Sequence, residues 1–253
     1  MEGVARYDEI ADFYASGWSD TIDDPASLRL LALLEPIAGR RVLELACGHG
    51  RISRELARRG AEVVGADISA ALIGKAEAAE HAAPLGVRYL HADVTAEGRL
   101  RELGTFDAVV CAFGLSDIDD LDGAVVTAAA ALRPGGLFVC SILHPCFPGG
   151  PGVSGSWPAH ASYRAEGWWR ADGELSSLRR QVGANHRTLA TYVNTFRRHE
   201  LWLDELAEPE PDPVWAARRP EAARHPVFLV MRCVSGAVSG PDGVTGPAPG
   251  RVA

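Results

Sequence analysis

Between residues 42 and 142 short apolar runs alternate with helical segments, and this alternation restricts the fold more than any other feature. Val42-Leu43-Glu44-Leu45 reads as a strand that ends at a glycine loop. Arg51 to Arg59 reads as a helix with Ile52 and Leu56 on one face and Gly60 closing its end. Glu62 to Ala66 is a second strand, followed by a helix from about Ala70 to His81. Val87 to His91 and Phe106 to Ala112 are the third and fourth strands. Asp119 to Leu132 is an alanine-rich helix stopped by Arg133-Pro134-Gly135-Gly136, and Leu137 to Ile142 is the fifth strand. Short apolar strands alternating with helices predict a parallel sheet covered on both faces. Ligands of such sheets sit at the carboxyl ends of the strands.

Upstream, Tyr7 to Tyr14 reads as a short amphipathic helix. Asp24-Pro25 opens a second helix, the Asp capping free N–H groups and the Pro fitting the first helical position. Leu28, Leu31 and Leu34 then recur at helical spacing as far as Pro36. Beyond the fifth strand the pattern breaks. His144 to Gly183 is rich in Pro, Gly and aromatics without periodicity. Regularity resumes with a helix, Thr188 to His199, and strands Leu201 to Leu206 and Val227 to Cys233, separated by a proline-punctuated loop. The fold class is therefore α/β: a Rossmann-like, seven-stranded, mostly parallel sheet with helices on both faces and an aromatic-rich cap after the fifth strand. One domain is expected over 1–234, with the cap at about 144–187. Residues 235–253 have no hydrophobic pattern and are expected to be a disordered tail.

The strongest chemical signal is the loop Glu44-Leu45-Ala46-Cys47-Gly48-His49-Gly50-Arg51. A glycine pair at a strand end lets a ligand approach the backbone closely. A dinucleotide fingerprint requires a third glycine at position 53, where this chain has Ser53. That and the single lysine, Lys75, count against a nicotinamide-dependent dehydrogenase. Asp67 ends the second strand 19 residues after Gly48, where a carboxylate can accept hydrogen bonds from both ribose hydroxyls. Asp93 ends the third strand, placed to meet an adenine amino group. Taken singly, Asp67 could be a helix cap and Asp93 a turn residue; their joint spacing in one βαβαβ pattern favours the ligand reading.

Four segments in register resemble the class I S-adenosylmethionine-dependent methyltransferases: Glu44 to Gly50, Val63 to Ser69, His91 to Val94, and Phe106 to Leu115. The turn Arg133-Pro134-Gly135-Gly136 is a further habit of that family. The resemblance covers roughly residues 7–143, and later segments are similar to bacterial small-molecule members. It implies S-adenosylmethionine as the methyl donor, with Tyr14, Glu44, Ala46, Cys47, Gly48, Gly50, Asp67, Ile68, Asp93, Val94, Ala112 and Phe113 around it. Glu44 offers a carboxylate to the donor's amino group and sulfonium. No metal site is implied. A non-catalytic binding or scaffolding module of the same fold would show the same motifs.

The acceptor is expected to be a small molecule, apolar or aromatic, methylated on O, N or C. The chain has a net charge of −8 and no basic cluster, which disfavours nucleic acid. Phe147, Trp157, Tyr163, Trp168 and Trp169 make the cap a candidate acceptor enclosure, or equally a satellite core. Tyr7 and Tyr14 could close the other side, although packing is the commoner role of such residues. His144 ends the fifth strand and His186 precedes the next helix; either could orient or deprotonate the acceptor, or simply cap its element. Five cysteines without CxxC spacing suit a reducing compartment, and no apolar stretch approaches the ~20 residues of a membrane span. The N-terminus shows no signal-peptide pattern. These features predict a cytoplasmic protein with no membrane partner, and they leave a homodimer open. Deleting the residues after Ser235 is expected to change neither the melting temperature nor donor binding; differential scanning fluorimetry with and without S-adenosylhomocysteine checks this.

Overall fold

The computed structural model describes residues 4–19, 21–96, 100–149, 155–158, 161–171, 177–218, 220 and 224–236. A 3₁₀ turn, Asp8–Ile10, leads into α1 (Ala11–Ser16). Then follow α2 (Pro25–Leu34), β1 (Arg41–Leu45), α3 (Arg51–Arg58), β2 (Glu62–Asp67), α4 (Ala70–Ala82), β3 (Arg88–His91) and β4 (Phe106–Ala112). A 3₁₀ turn at Gly114–Ser116 precedes α5 (Leu121–Ala131) and β5 (Leu132–Leu143). The cap contains short strands β6 (Pro148–Gly149), β7 (Trp157–Pro158) and β8 (Gly167–Trp169), helix α6 (Ser177–Val182) and β9 (Ala184–His186). The chain continues through α7 (Leu189–Arg198), β10 (Leu201–Ala207), α8 (Pro213–Arg218) and β11 (Phe228–Ser235).

Seven strands form one sheet in the order β10-β11-β5-β4-β1-β2-β3. β1 to β5 are parallel neighbours, and β11 and β10 add to the β5 edge antiparallel. This is the Rossmann-like arrangement expected from the alternation. Successive side chains of a strand point to opposite faces, and the central strands bury both. Leu43 and Leu45 join Val109, Phe138 and Cys140 under α5 and α7. Val42 joins Ala108, Val110 and Val139 under α2, α3 and α4. The chain starts at β1, builds outward to β3, then returns to place β4 on the other side of β1. That reversal opens a crevice at the carboxyl ends of β1 and β4.

Helix starts follow the sequence. Asp24 accepts the Ser27 N–H at 2.8 Å with Pro25 at the first helical position, and Ser69, Asp120 and Thr188 cap α4, α5 and α7 in the same way. Two expectations need adjustment. The Arg133-Pro134-Gly135-Gly136 turn lies within β5, where the register against β4 shifts and Gly135 adopts φ 74°. Ser235, expected to begin the tail, pairs with Leu201 as the last residue of β11, because its backbone completes the antiparallel ladder. Residues 237–253 of the expected tail lie outside the described residues.

The loops after β1 and β4 touch closely. A Cβ added at Gly114 would lie 2.6 Å from the Ala46 Cβ and 2.9 Å from the Cys111 sulfur. Both neighbours belong to packed backbone elements, so the loops would have to separate. Gly114→Ala is expected to destabilise the fold by roughly 1–3 kcal/mol, read as a lower urea midpoint.

Candidate active site

The loop after β1 is built by backbone constraint. Ala46, Gly48 and Gly50 all adopt positive φ, at 53°, 57° and 86°. Such a conformation costs a non-glycine residue roughly 1–2 kcal/mol, and it concentrates at ligand sites. The Cys47 N–H donates to Ala66 O and the Gly50 N–H to Cys47 O, so the loop is tied to β2 and delivers the N-terminus of α3. Gly50 does not face the crevice: a Cβ there would lie 2.3 Å from the Tyr89 hydroxyl, so its role is close packing against β3.

Asp67 joins this loop to the next. One carboxylate oxygen accepts the Gly48 N–H and the other the Ser69 N–H, each at 2.8 Å. Ser69, not Asp67, caps α4. Each Asp67 oxygen retains acceptor capacity, and the residue lines the crevice. Burial pushes its carboxyl above the ordinary carboxylate range, opposed by the two N–H groups. Asp93 holds its own turn by accepting the Thr95 N–H and hydroxyl at 2.9 and 2.7 Å.

The crevice has three connected parts. The first encloses about 640 Å³ and is lined by Tyr7, Tyr14, Gly48, Asp67, Phe113 and Asp117, among others. The second encloses about 1100 Å³ between Asp67, Ile68, Asp93, Val94, Ile118 and Asp120. The third, about 360 Å³, lies on the other side of Ala46 and Phe113 among Tyr14, Trp18, Ser27, Glu44, Cys47 and His49. These parts bring together eleven of the twelve residues expected around the donor, Gly50 being the exception. Phe113 sits at φ 58°, its N–H donating to Ser141 O at 2.9 Å. Its ring meets Trp18 and Phe228 at 6.2 and 6.1 Å, while Tyr14 packs edge-on to His49 at 5.7 Å.

Glu44 is 2% exposed and accepts the Ser53 hydroxyl. Burial raises its pKa to about 8, with Ser53 opposing the shift and Asp67 reinforcing it. Near neutrality it therefore exists largely as a neutral acid, which qualifies the expectation of a standing carboxylate. The Ser27 hydroxyl, buried in the wall of the same chamber, has no hydrogen-bond partner.

The residues expected on the acceptor side have local partners. His144 Nδ1 accepts the Cys146 N–H at 3.0 Å, which leaves the proton on Nε2, 3.0 Å from Glu208 Oε1. His186 Nε2 donates to Tyr163 O at 2.8 Å, and Nδ1 accepts the Ser156 hydroxyl at 3.2 Å. Burial lowers both imidazoles below the ordinary histidine value. Both rings bond local partners through both nitrogens, and neither lines any of the three parts of the crevice. Phe147, Trp157, Tyr163, Trp168 and Trp169 likewise line none of its three parts. Trp157 donates to Pro145 O at 2.8 Å, Trp169 donates to Ser156 O at 2.9 Å, and the Tyr163 hydroxyl accepts the Leu189 N–H at 3.0 Å. Phe147 is buried, and Trp168 is half exposed with Arg6 and Arg170 guanidinium groups over its ring. Trp157, Tyr163 and Trp169 are half-buried, and the Trp157 and Tyr163 rings flank His186 at 5.9 and 5.8 Å.

The cap reaches the crevice through cations instead. Arg187 donates to the carbonyls of Leu115, Ile118 and Asp119 at 2.7–2.8 Å. Asn185 donates to Asp119 Oδ1 at 2.8 Å, and Arg179 pairs with Asp117. From the other direction, Arg6 and Tyr7 bond Asp119 and Asp117 at 2.6 and 2.9 Å. Val4, Arg6, Asp117, Ile118 and Val182 therefore line the crevice without having been singled out in the sequence. For Arg6 and Asp117 the signal is long-range charge pairing, which no local pattern displays.

Strand order, glycine loop and carboxylates at successive strand ends make a Rossmann-like domain similar to the class I S-adenosylmethionine-dependent methyltransferases. Residues 42–136 match the methyltransferase domain family. The chain is 28% identical to an S-adenosylmethionine-dependent methyltransferase of Mesorhizobium loti whose crystal structure superposes with a TM-score of 0.65, covering 82% of this chain and 96% of that one. The CcbJ methyltransferase of Streptomyces caelestis shares the fold at 21% identity and a TM-score of 0.63, over 92% and 99% of the two chains. The ubiquinone biosynthesis O-methyltransferase of Rhizobium johnstonii is 42% identical over 120 residues, 47% of this chain and 45% of its own. That of Ralstonia nicotianae is 34% identical over 122 residues, 48% and 50% of the two. The chain thus spans about half the length of the curated relatives it matches. Among the described residues no helix is long and apolar enough to cross a membrane.

The residues fit the donor. The nucleoside needs acceptors for its hydroxyls and apolar walls for its base, and Asp67, Asp93, Ile68, Val94 and Ile118 supply these around one cavity. The raised Glu44 pKa has a checkable consequence. Between the ordinary 4.5 and about 8 the folded state binds more protons than the unfolded state, so this group lowers stability as pH rises through that window. Glu44→Gln is expected to flatten the stability profile across it, with the variant gaining on wild type at pH 8.5 relative to pH 5.5 in urea titrations.

Proposed function

We propose that the chain transfers a methyl group from S-adenosylmethionine to a small-molecule acceptor. The observation that carries this reading is the Asp67 carboxylate, which holds the Gly48 and Ser69 N–H groups yet still faces a cavity walled by Asp93, Ile68 and Val94. When bound, the donor supplies a methyl group already activated by its sulfonium. The protein's part is then to align and to exclude water, and positioning of this kind can lower a barrier by ~7–11 kcal/mol. The N-terminal residues Val4, Tyr7 and Tyr14 cover the crevice, which favours exclusion of water. The aromatic wall of Tyr14, Trp18 and Phe113 suits an apolar or aromatic acceptor, in place of the cap aromatics.

The likeness to the ubiquinone O-methyltransferases lies in about half of each chain, and the family match covers residues 42–136, where the expected donor residues lie, so together they support the donor more than the acceptor. We take the catalytic unit as residues 1–235, which includes the whole of β11. The five cysteines are free, in keeping with action in the cytoplasm.

Titration calorimetry is expected to show S-adenosylmethionine and S-adenosylhomocysteine binding without added metal, and no binding of NAD. Asp67→Ala should weaken both by roughly 1.5–3 kcal/mol, the scale of hydrogen bonds to a charged acceptor. Binding of NAD alone would overturn the reading. Methyl transfer is then sought with isotopically labelled donor across phenols, amines and acidic carbon acids.

A further inference from the structure

The cap and the N-terminal segment meet on one side chain of the crevice. Arg179, on α6, is 6% exposed, pairs with Asp117 Oδ1 and donates to Gly183 O at 2.9 Å. The other Asp117 oxygen accepts the Tyr7 hydroxyl at 2.9 Å. Tyr7 lines the part of the crevice shared with Asp67, Ile68 and Ser69, and the Tyr14 ring braces it edge-on at 4.9 Å. A phenol has one proton and two lone pairs. Here the proton is committed to Asp117, so the oxygen can offer only acceptor capacity to a ligand.

We propose that Tyr7 is a ligand-contact residue, accepting a hydrogen bond from the nucleoside part of the methyl donor. Arg179 is its positioning residue, acting through Asp117. Burial first, then the Asp117 charge, raises the Tyr7 pKa well above its ordinary value, so the proton that fixes the geometry stays in place. The charge on Asp117 is in turn held by a buried guanidinium. The sugar is thereby recognised from two sides by acceptors, Asp67 and Tyr7. The cap, inserted after β5, governs donor binding as well as whatever it does for the acceptor. This inference rests on the methyltransferase reading.

The test is calorimetric titration of S-adenosylhomocysteine into the full chain. Tyr7→Phe keeps the ring and removes only the oxygen; it should weaken binding about five- to tenfold with little change in melting temperature, the scale of one hydrogen bond. Arg179→Met should weaken it at least as much, and Arg179→Lys should recover most of the loss. The double variant Tyr7→Phe with Arg179→Met should bind no more than about twofold more weakly than Arg179→Met alone, because both changes remove one contact. If Arg179→Met fails to fold, the same cycle is run with Arg179→Gln, which also removes the charge. Tyr7→Phe binding within about twofold of wild type, or losses that multiply in the double variant, would overturn the inference while leaving the methyltransferase reading intact. Failure of the wild-type chain to bind S-adenosylhomocysteine would overturn that reading itself.

Discussion

The carboxylate of Asp67 is the constraint on which the site depends. It ends β2, yet it accepts the N–H of Gly48 from the neighbouring loop and that of Ser69 from its own. Two loops that begin on different strands are thereby held at fixed separation. Removing the carboxylate would leave two N–H groups without their acceptor, and a buried unpaired donor costs about 1–3 kcal/mol. Because Ser69 caps α4, the same contact fixes where that helix starts. The glycine loop, Asp67 and the first turn of α4 are thus one unit.

A second set of contacts joins the later half of the chain to this unit. Arg187 satisfies three carbonyls of the segment after β4, while Arg179 and Asn185 hold its aspartates. That segment could not otherwise expose so many carbonyls beside a cavity without water to satisfy them. The cap therefore acts as a clamp on the crevice wall.

Most of the fold was legible because its signals are local. The strand Phe106–Ala112 is a continuous apolar run, α2 starts at Asp24-Pro25, and the glycine loop follows β1 directly. The residues expected around the donor come together for a related reason: ligands of a parallel sheet sit at the strand ends, so order along the chain gives order in space. For His144 and His186 the same logic gives only the edge of the sheet. Being near that edge does not say which way a ring turns, and both rings bond local partners: the Cys146 N–H and Glu208 for one, Tyr163 O for the other. Tyr7 and Asp117 lie 110 positions apart, and nothing in either neighbourhood signals the other.

Ala46 and Gly114 divide a single small space between them. Ala46 adopts a left-handed backbone that glycine would tolerate better, yet its methyl group occupies the volume that Gly114 leaves open. The two positions therefore carry one methyl group jointly, and the tolerance of each is set by the other. Exchanging the residues, with glycine after β1 and alanine after β4, keeps the contact filled while relieving the strained backbone. Such a swap would conserve volume and shift conformational freedom from one wall of the crevice to the other, so this pair is expected to vary as a unit.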